Sequence, residues 1–317
     1  MSKAILAPTY GDPSVLTFVP TTPAAPGVGE VAIAVRAAGV NPSDLKRLGG
    51  MFGRDEAALP LRLGAEISGV VTAVGAEATG AAGPVAVGDE VIAFRVEGGF
   101  SEQLVVTAES VLPKPASLSW EEAAGLLLAA TTAFHMVEAA GVSAGDRVLV
   151  HGASGAVGSI AVQLAVLRGA QVVGTASAAN LDVVRGFGAE AVDYGHGPAD
   201  RVRTLFADGV DAALNTADAD TALDVSAELV ADRDRIVTVT GFAHAAELGV
   251  RRLGLVPGGD PGAALRDAAR MDLVDLAGRG KICVRLARAF PLAEAAAALD
   301  LVGSGRAHGK VVLLTSV

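Results

Sequence analysis

The sequence predicts an α/β protein in which a barrel-like β domain precedes a doubly wound parallel sheet. Two observations predict it. Between Val148 and Thr240, short apolar runs alternate with helical segments, the pattern of a parallel sheet covered by helices on both faces. Ahead of that stretch, the first third of the chain reads as strands punctuated by Pro, Gly and Asp, without strand–helix alternation.

The early strands are expected at Ala4–Ala7, Glu30–Ala38, Ser68–Val74, Glu90–Ala93 and Gln103–Thr107. Turn-rich stretches at Pro23–Gly29, Ala81–Asp89 and Val96–Gly99 separate them. The texture changes at Pro113–Ser119. Ser119, followed three residues later by Glu122, has the spacing of a capping box, so a helix starts there. It continues as the apolar run Ala123–Gly141, with an interruption expected around Thr131. Strands follow at Val148–Val150, Gln171–Thr175, Ala191–Asp193, Val210–Asn215 and Arg235–Thr240. Helices fall between them at Ser159–Leu167, Asn180–Phe187, Ala199–Phe206 and Thr221–Leu229. Beyond Phe242 the pattern weakens to a helix at Pro261–Arg279, a strand at Lys281–Arg285, a helix at Leu292–Ser304 and a strand at Lys310–Leu314.

Composition narrows the function. The 317 residues suffice for two domains, and 51% are hydrophobic, as in a packed globular chain. A net charge of −10 argues against nonspecific nucleic-acid binding, which needs a basic face. Cys283 is the only cysteine, so no internal disulfide forms and cytoplasmic residence is the simplest expectation. Met1–Tyr10 lacks the basic start and long apolar run of a signal peptide, and the apolar run Ala123–Ala133 is too short to span a bilayer.

The chemistry begins at Arg147–Gly158. An apolar strand runs into Gly152, Gly155 and Gly158, and a helix follows. One glycine closes the turn, one lets backbone approach a pyrophosphate, and one lets the helix pack on the strand. Gly155, Ala156 and Val157 are the candidates to offer backbone N–H groups, with Ser154 adding a hydroxyl or capping the helix. His151 reads as a packed or solvent-facing residue. The second strand ends Val173-Gly174-Thr175 and runs on through Ser177 to Asn180. An NAD site usually places a carboxylate there for the ribose hydroxyls. None is present, which favours NADP, with Thr175, Ser177 and Asn180 available to a 2′-phosphate. His135, His151, His196, His244 and His308 are scattered without metal-ligand spacing, so no metal is expected.

Asn41-Pro42-Ser43-Asp44, Gly64-Ala65-Glu66-Ile67-Ser68-Gly69, Val87-Gly88-Asp89-Glu90-Val91, the glycine turn, Gly98–Glu102 and Gly309–Val312 occur in an order that resembles the zinc-free branch of the medium-chain dehydrogenase/reductase superfamily. Within it the chain resembles bacterial quinone oxidoreductases, the zeta-crystallin-like group, from Lys3 to Leu314. The resemblance implies a GroES-like β-barrel catalytic domain at 1–122, a Rossmann NADP-binding domain at 123–264, and a segment at 265–317 that completes the catalytic domain. It implies a substrate cleft between the two domains. It also carries the late strands Lys281–Arg285 and Lys310–Leu314 into the catalytic domain.

By the same resemblance, Thr131 approaches the nicotinamide ribose or its phosphate. Asn215 and Val239–Phe242, including Gly241 and Phe242, face the cofactor, and Lys310 is a C-terminal cofactor contact or a solvent-facing strand residue. Relatives that use NADP carry a lysine after the second strand and a tyrosine further on. Tyr194 is near the expected tyrosine, but Asn180 or Leu181 stands where the lysine would be, and Arg185 or Arg203 could compensate. Zinc-bearing relatives have a cysteine at Asn41 and a histidine at Ala65; their matching glutamate lies near the metal, whereas Glu66 here is expected to pair with Arg62 or backbone groups. Asn41 is the expected polar contact to the acceptor. Asp44 is a general acid or a structural cap, and Phe52, Phe94 and Phe134 are pocket or core residues.

Alcohol oxidation needs zinc or a base, whereas an electron-poor acceptor takes hydride with less help. The expected activity is therefore NADPH-dependent reduction of a quinone or an α,β-unsaturated carbonyl by a homodimer, with Val237–Pro257 at the dimer edge. The alternative is a nucleotide-binding structural or RNA-binding protein of the same fold.

Overall fold

The computed structural model describes residues 2–316. The chain divides into two units. One comprises the chain up to Leu128, Val274–Arg279 and everything from Leu286; the other comprises Ala129–Leu273 and Gly280–Arg285.

The first unit is built on a mixed sheet. Its strands run Val111–Pro113, Glu90–Phe94, Glu66–Val74, Glu30–Val40, Lys310–Leu314 and Leu286–Pro291 in spatial order, with Gln103–Thr107 also pairing Glu30–Val40. Lys310–Leu314 is antiparallel to Glu30–Val40, bringing Val312 opposite Gly39. It runs parallel to Leu286–Pro291 on its other side. Thr17–Thr21, Ser2–Ala7 and Leu61–Arg62 form a smaller sheet. Glu30–Val40 is buried along most of its length, because it is paired on both edges and packed on its faces. Ile33, Val35, Ile67, Phe100, Leu104, Leu299 and Leu313 belong to one buried cluster.

The second unit is a parallel sheet in the order Glu190–Asp193, Gln171–Ala176, Arg147–His151, Ala212–Asn215, Ile236–Thr238 and Arg251–Arg252. This is the doubly wound order: the sequence turns back at the central strand, and the crevice at its C-terminal end is where such sheets bind ligands. Leu149, Val173, Val202, Ala213, Leu223 and Ile236 share its core. The helix after the central strand, Ala156–Leu167, is buried from Gly158 to Ala165, so an apolar sequence without a polar stripe suits it.

Three expectations about elements change. The helical run after Ser119 breaks at Gly125, whose N–H caps the Glu121 and Glu122 carbonyls; a second helix runs Leu127–Ala139, with Thr131 inside it. The helix after the glycine turn starts at Ala156, earlier than Ser159. Lys281–Arg285 is not a strand: it is irregular and groups with the parallel-sheet unit, and the strand that pairs Lys310–Leu314 is Leu286–Pro291. The capping box at Ser119 forms as expected, the hydroxyl accepting from the Glu122 amide and the Glu122 carboxylate accepting from the Ser119 amide.

Candidate nucleotide site and a buried polar cluster

The glycine turn sits at the end of Arg147–His151, which is paired on both edges and therefore fixed. Gly152 has a φ of +72°, a left-handed conformation that a side chain strains. The amide of Gly155 donates to the Gly152 carbonyl at 2.9 Å and closes the turn. A Cβ at Gly158 would stand 2.2 Å from the same carbonyl, so only glycine lets the helix pass so close. Gly155 is the helix N-cap and no side chain caps the first turn. The amides of Ala156 and Val157, at the first two helical positions, therefore have no acceptor within the helix, and they sit at the positive end of its dipole. The offered donors are thus Ala156 and Val157, with Gly155 as the hinge that aims them. Ser154 does not cap the helix; it is buried, and its carbonyl accepts from Arg285.

Arg285 is the functional candidate that sequence reasoning missed. Its guanidinium donates to the Ser154 carbonyl at 3.2 Å and to Asn180 Oδ1 at 2.7 Å, so it links the glycine turn to the end of the second strand. Gln163, inside the turn helix, holds the segment: its carbonyl accepts from the Cys283 amide at 2.8 Å, and its amide donates to the Cys283 carbonyl at 3.1 Å. Burial alone lowers the pKa of Arg285. Arg185 and Arg203, the expected compensators, are committed to exposed ion pairs with Asp182 and with Asp200 and Glu228. The pattern available to sequence reasoning is local, and Arg285 lies 105 residues from Asn180.

The other nucleotide candidates fall as follows. Thr175 is buried, its hydroxyl 3.1 Å from His151 Nδ1. Nε2 of that histidine is buried without a partner, and burial pushes its pKa down to about 4, so the ring is neutral. Asn180 Nδ2 donates to Ser177 Oγ at 2.8 Å. Tyr194 follows its strand and is 61% exposed. Asn215 is fully buried and donates to Thr238 Oγ1 while accepting from the Ala217 amide; it ties neighbouring strand ends together. Val239 and Gly241 lie just beyond the next strand, with Gly241 left-handed at the N-terminus of the helix that Phe242 opens. Thr131 is buried inside its helix.

In the first unit the structure gathers Asn41, Asp44, Glu66 and Lys310. The Lys310 ammonium donates to Glu66 Oε1 and to Asn41 Oδ1, both at 2.5 Å. Asn41 Nδ2 donates to Glu66 Oε1 at 3.0 Å and to the Gly39 carbonyl at 3.3 Å. Glu66 Oε2 accepts from the Leu128 amide at 2.8 Å, in the first turn of a helix. The two Asp44 oxygens accept from the amides of Asn41 and Gly64. All four residues are nearly inaccessible, and burial pushes the Asp44 pKa up to about 6.

These contacts bear on four expectations. The Asn41 amide, expected at the acceptor, is engaged internally at both ends, with Gly39, Glu66 and Lys310. Asp44 takes the structural of its two expected roles, capping the Asn41 amide and bridging to that of Gly64. Lys310 is not solvent-facing; it is buried and its charge is neutralised by Glu66. Glu66, expected on Arg62 or backbone groups, takes the Leu128 amide and, in place of Arg62, Lys310. The ammonium rests on the asparagine and glutamate positions that zinc-bearing relatives dedicate to or near their metal. Among the described residues, no group of three His, Cys, Asp or Glu side chains that could hold a metal ion occurs.

Known proteins share these features. Residues 27–116 match the family described as the alcohol dehydrogenase GroES-like domain, and residues 187–313 match that described as zinc-binding dehydrogenase. A quinone oxidoreductase of Pseudomonas aeruginosa is 32% identical over 99% of this chain and 100% of its own length. The chain belongs to the zinc-independent, quinone-oxidoreductase-like branch of the medium-chain dehydrogenase/reductase superfamily. A spectinabilin polyketide synthase protein of Streptomyces orinoci is 34% identical over 97% of the chain, which spans only 14% of that larger protein's length. A mycobacterial protein solved with NADPH superposes with a TM-score of 0.82 at 29% identity, covering 98% of this chain and 99% of its own. The chain thus has the fold of an NAD(P)-dependent oxidoreductase: a GroES-like sheet, a parallel Rossmann-like sheet, and C-terminal strands that pair back into the first sheet. Among the described residues, no helix is long and apolar enough to cross a membrane.

Proposed function

We propose that this protein reduces a quinone or an α,β-unsaturated carbonyl at the expense of NADPH, without a metal. The observation that carries the cofactor choice is the end of the second strand, where Thr175, Ser177 and Asn180 stand and no carboxylate does. The residues present fit a dinucleotide. Gly152, Gly155 and Gly158 keep the turn free of a Cβ at three positions, Ala156 and Val157 carry unengaged amides, and a cation lies beside them.

The bound cofactor supplies hydride; acceptor, NADPH and one proton become reduced acceptor and NADP⁺. The chain's contribution is placement. Ala156 and Val157 hold the pyrophosphate through backbone N–H groups, and the strand end orients the adenosine ribose. The neutral ring of His151 packs beneath the turn without adding charge. The Asn41–Glu66–Lys310 cluster serves as scaffold, since each charge in it is satisfied internally.

The named activities of the relatives support the acceptor class. One is a quinone oxidoreductase, and another belongs to a polyketide synthase system. A structural or RNA-binding role draws no support from a chain of net charge −10. Stopped-flow absorbance of the reduced nicotinamide, with NADPH and NADH against quinones, enones and enoyl thioesters, is the test. NADPH oxidation that depends on one acceptor class is the expected result, and tight nucleotide binding without acceptor-dependent oxidation overturns it. We also propose a cytoplasmic homodimer, using the sheet edge at Arg251–Arg252, which light scattering checks by mass.

A further inference from the structure

We propose that Arg285 is the specificity-determining cation for the cofactor's 2′-phosphate, acting with Ser177 and held ready by Asn180 and Gln163. The inference rests on the NADP reading above and says which group enforces it.

Four observations converge. No lysine or arginine stands between Thr175 and Asp182, where the chain leaves the second strand. Arg285 brings a guanidinium to that spot from a distant segment, through its bond to Asn180 Oδ1. Among the described residues it forms no ion pair with a carboxylate; both of its acceptors are neutral. Arg185 and Arg203 have their charges balanced and exposed, but the charge of Arg285 is part-buried and unbalanced. A desolvated cation with no counter-ion is costly in isolation, and an arriving phosphate dianion removes that cost.

The geometry also leaves donors to spare. A guanidinium has five N–H groups in a rigid fork, and the bonds to Ser154 and Asn180 use two of them. Ser177 Oγ accepts from Asn180 Nδ2, which leaves the hydroxyl proton free to donate elsewhere. Asn180 therefore organises both groups: its oxygen takes the guanidinium and its nitrogen takes the serine. Gln163 fixes the backbone of Cys283, two residues before Arg285, from within the helix that also carries the pyrophosphate amides. Guanidinium, hydroxyl and turn amides are thereby tied to one rigid helix.

The competing account is that Arg285 merely staples its segment to the turn. Calorimetric titration with adenosine 2′,5′-bisphosphate and with 5′-AMP separates the two accounts without turnover. The folded protein is expected to bind the bisphosphate roughly 10- to 100-fold more tightly than 5′-AMP. Arg285→Ala should bring that ratio to near unity while leaving 5′-AMP affinity in place. Arg285→Gln keeps a donor for Asn180 and Ser154 without the charge, so it should lose the ratio as well, and it decides the matter if the alanine variant unfolds. Arg285→Lys should hold an intermediate ratio, having charge but no fork. A ratio that survives Arg285→Gln overturns the role of Arg285 and leaves the NADP reading standing. A wild-type ratio near unity overturns the NADP reading and the role of Arg285 together.

Discussion

Each unit contains a polar constellation, and the two are built in opposite ways. In the first unit, Glu66, Lys310, Asn41 and Asp44 satisfy one another and the neighbouring amides, away from solvent. In the second, the turn amides of Ala156 and Val157, the guanidinium of Arg285 and the hydroxyl of Ser177 are aligned but incompletely used. A closed network buys rigidity, because any partner removed leaves an orphan in low dielectric. An open one keeps its unsatisfied donors for a ligand. Residue type alone did not distinguish them: both contain a cation, an asparagine and hydrogen-bonded backbone. The difference is whether a carboxylate faces the cation, as Glu66 faces Lys310.

The comparison breaks most visibly at Lys310. Lys310→Met should leave Glu66 as an uncompensated buried charge and cost about 3–5 kcal/mol, read by denaturant unfolding. Adding Glu66→Gln should recover much of that loss. If the single variant unfolds like wild type, the cluster is not closed.

A second contrast is in pH. The pKa of Asp44 is raised from 3.8 to about 6, so its proton stays bound in the folded state while the unfolded chain has lost it. Its contribution is fully present below pH 4 and is lost as pH rises through 6, by about 3 kcal/mol. His151 is lowered from 6.5 to about 4, so the unfolded chain takes up a proton that the folded one refuses. Its contribution is fully present above pH 6.5 and is lost as pH falls toward 4, also by about 3 kcal/mol. The two slopes oppose one another across the same window. Relative to wild type, Asp44→Asn and His151→Asn should therefore change the stability–pH slope in opposite directions, measured by chemical unfolding between pH 4 and 7. Equal slopes in all three proteins would show that neither burial is as described.

At the open site, Gly158→Ala places a Cβ 2.2 Å from the Gly152 carbonyl. The turn must shift, at about 1–3 kcal/mol of stability, and nucleotide affinity should fall together with it. Retained affinity, followed by nicotinamide fluorescence, would separate the turn from binding. The smallest effect belongs to the exposed arginines. Arg185→Ala and Arg203→Ala should each change stability by less than about 0.5 kcal/mol and leave the bisphosphate ratio untouched. A drop in that ratio at either one would move the clasp away from Arg285.

What was legible in the sequence was what local spacing encodes. The glycine turn, the strand–helix alternation and the Ser119 capping box depend on neighbours a few residues apart, and each formed. The helix break is expected around Thr131. The break came instead at Gly125, where the chain could cap two carbonyls. The pairing of Lys310 with Glu66 and of Arg285 with Asn180 spans 244 and 105 residues, and no periodicity reports such contacts. Polar residues read one at a time therefore show no sign of such partners, as with Asn41 and Lys310, which bond to each other across 269 residues.

The strand Lys310–Leu314 lies between Glu30–Val40 and Leu286–Pro291 rather than at an edge of its sheet. During synthesis on a ribosome, the early strands emerge long before it does. Until then the central strand lacks a neighbour and the Glu66 carboxylate lacks its cation, so the first unit cannot close while the nucleotide unit is being made. The parallel sheet is free to form first, and the β unit that begins the chain is completed last. A protein cut short after the parallel sheet would thus lose the unit that its own N-terminus had started.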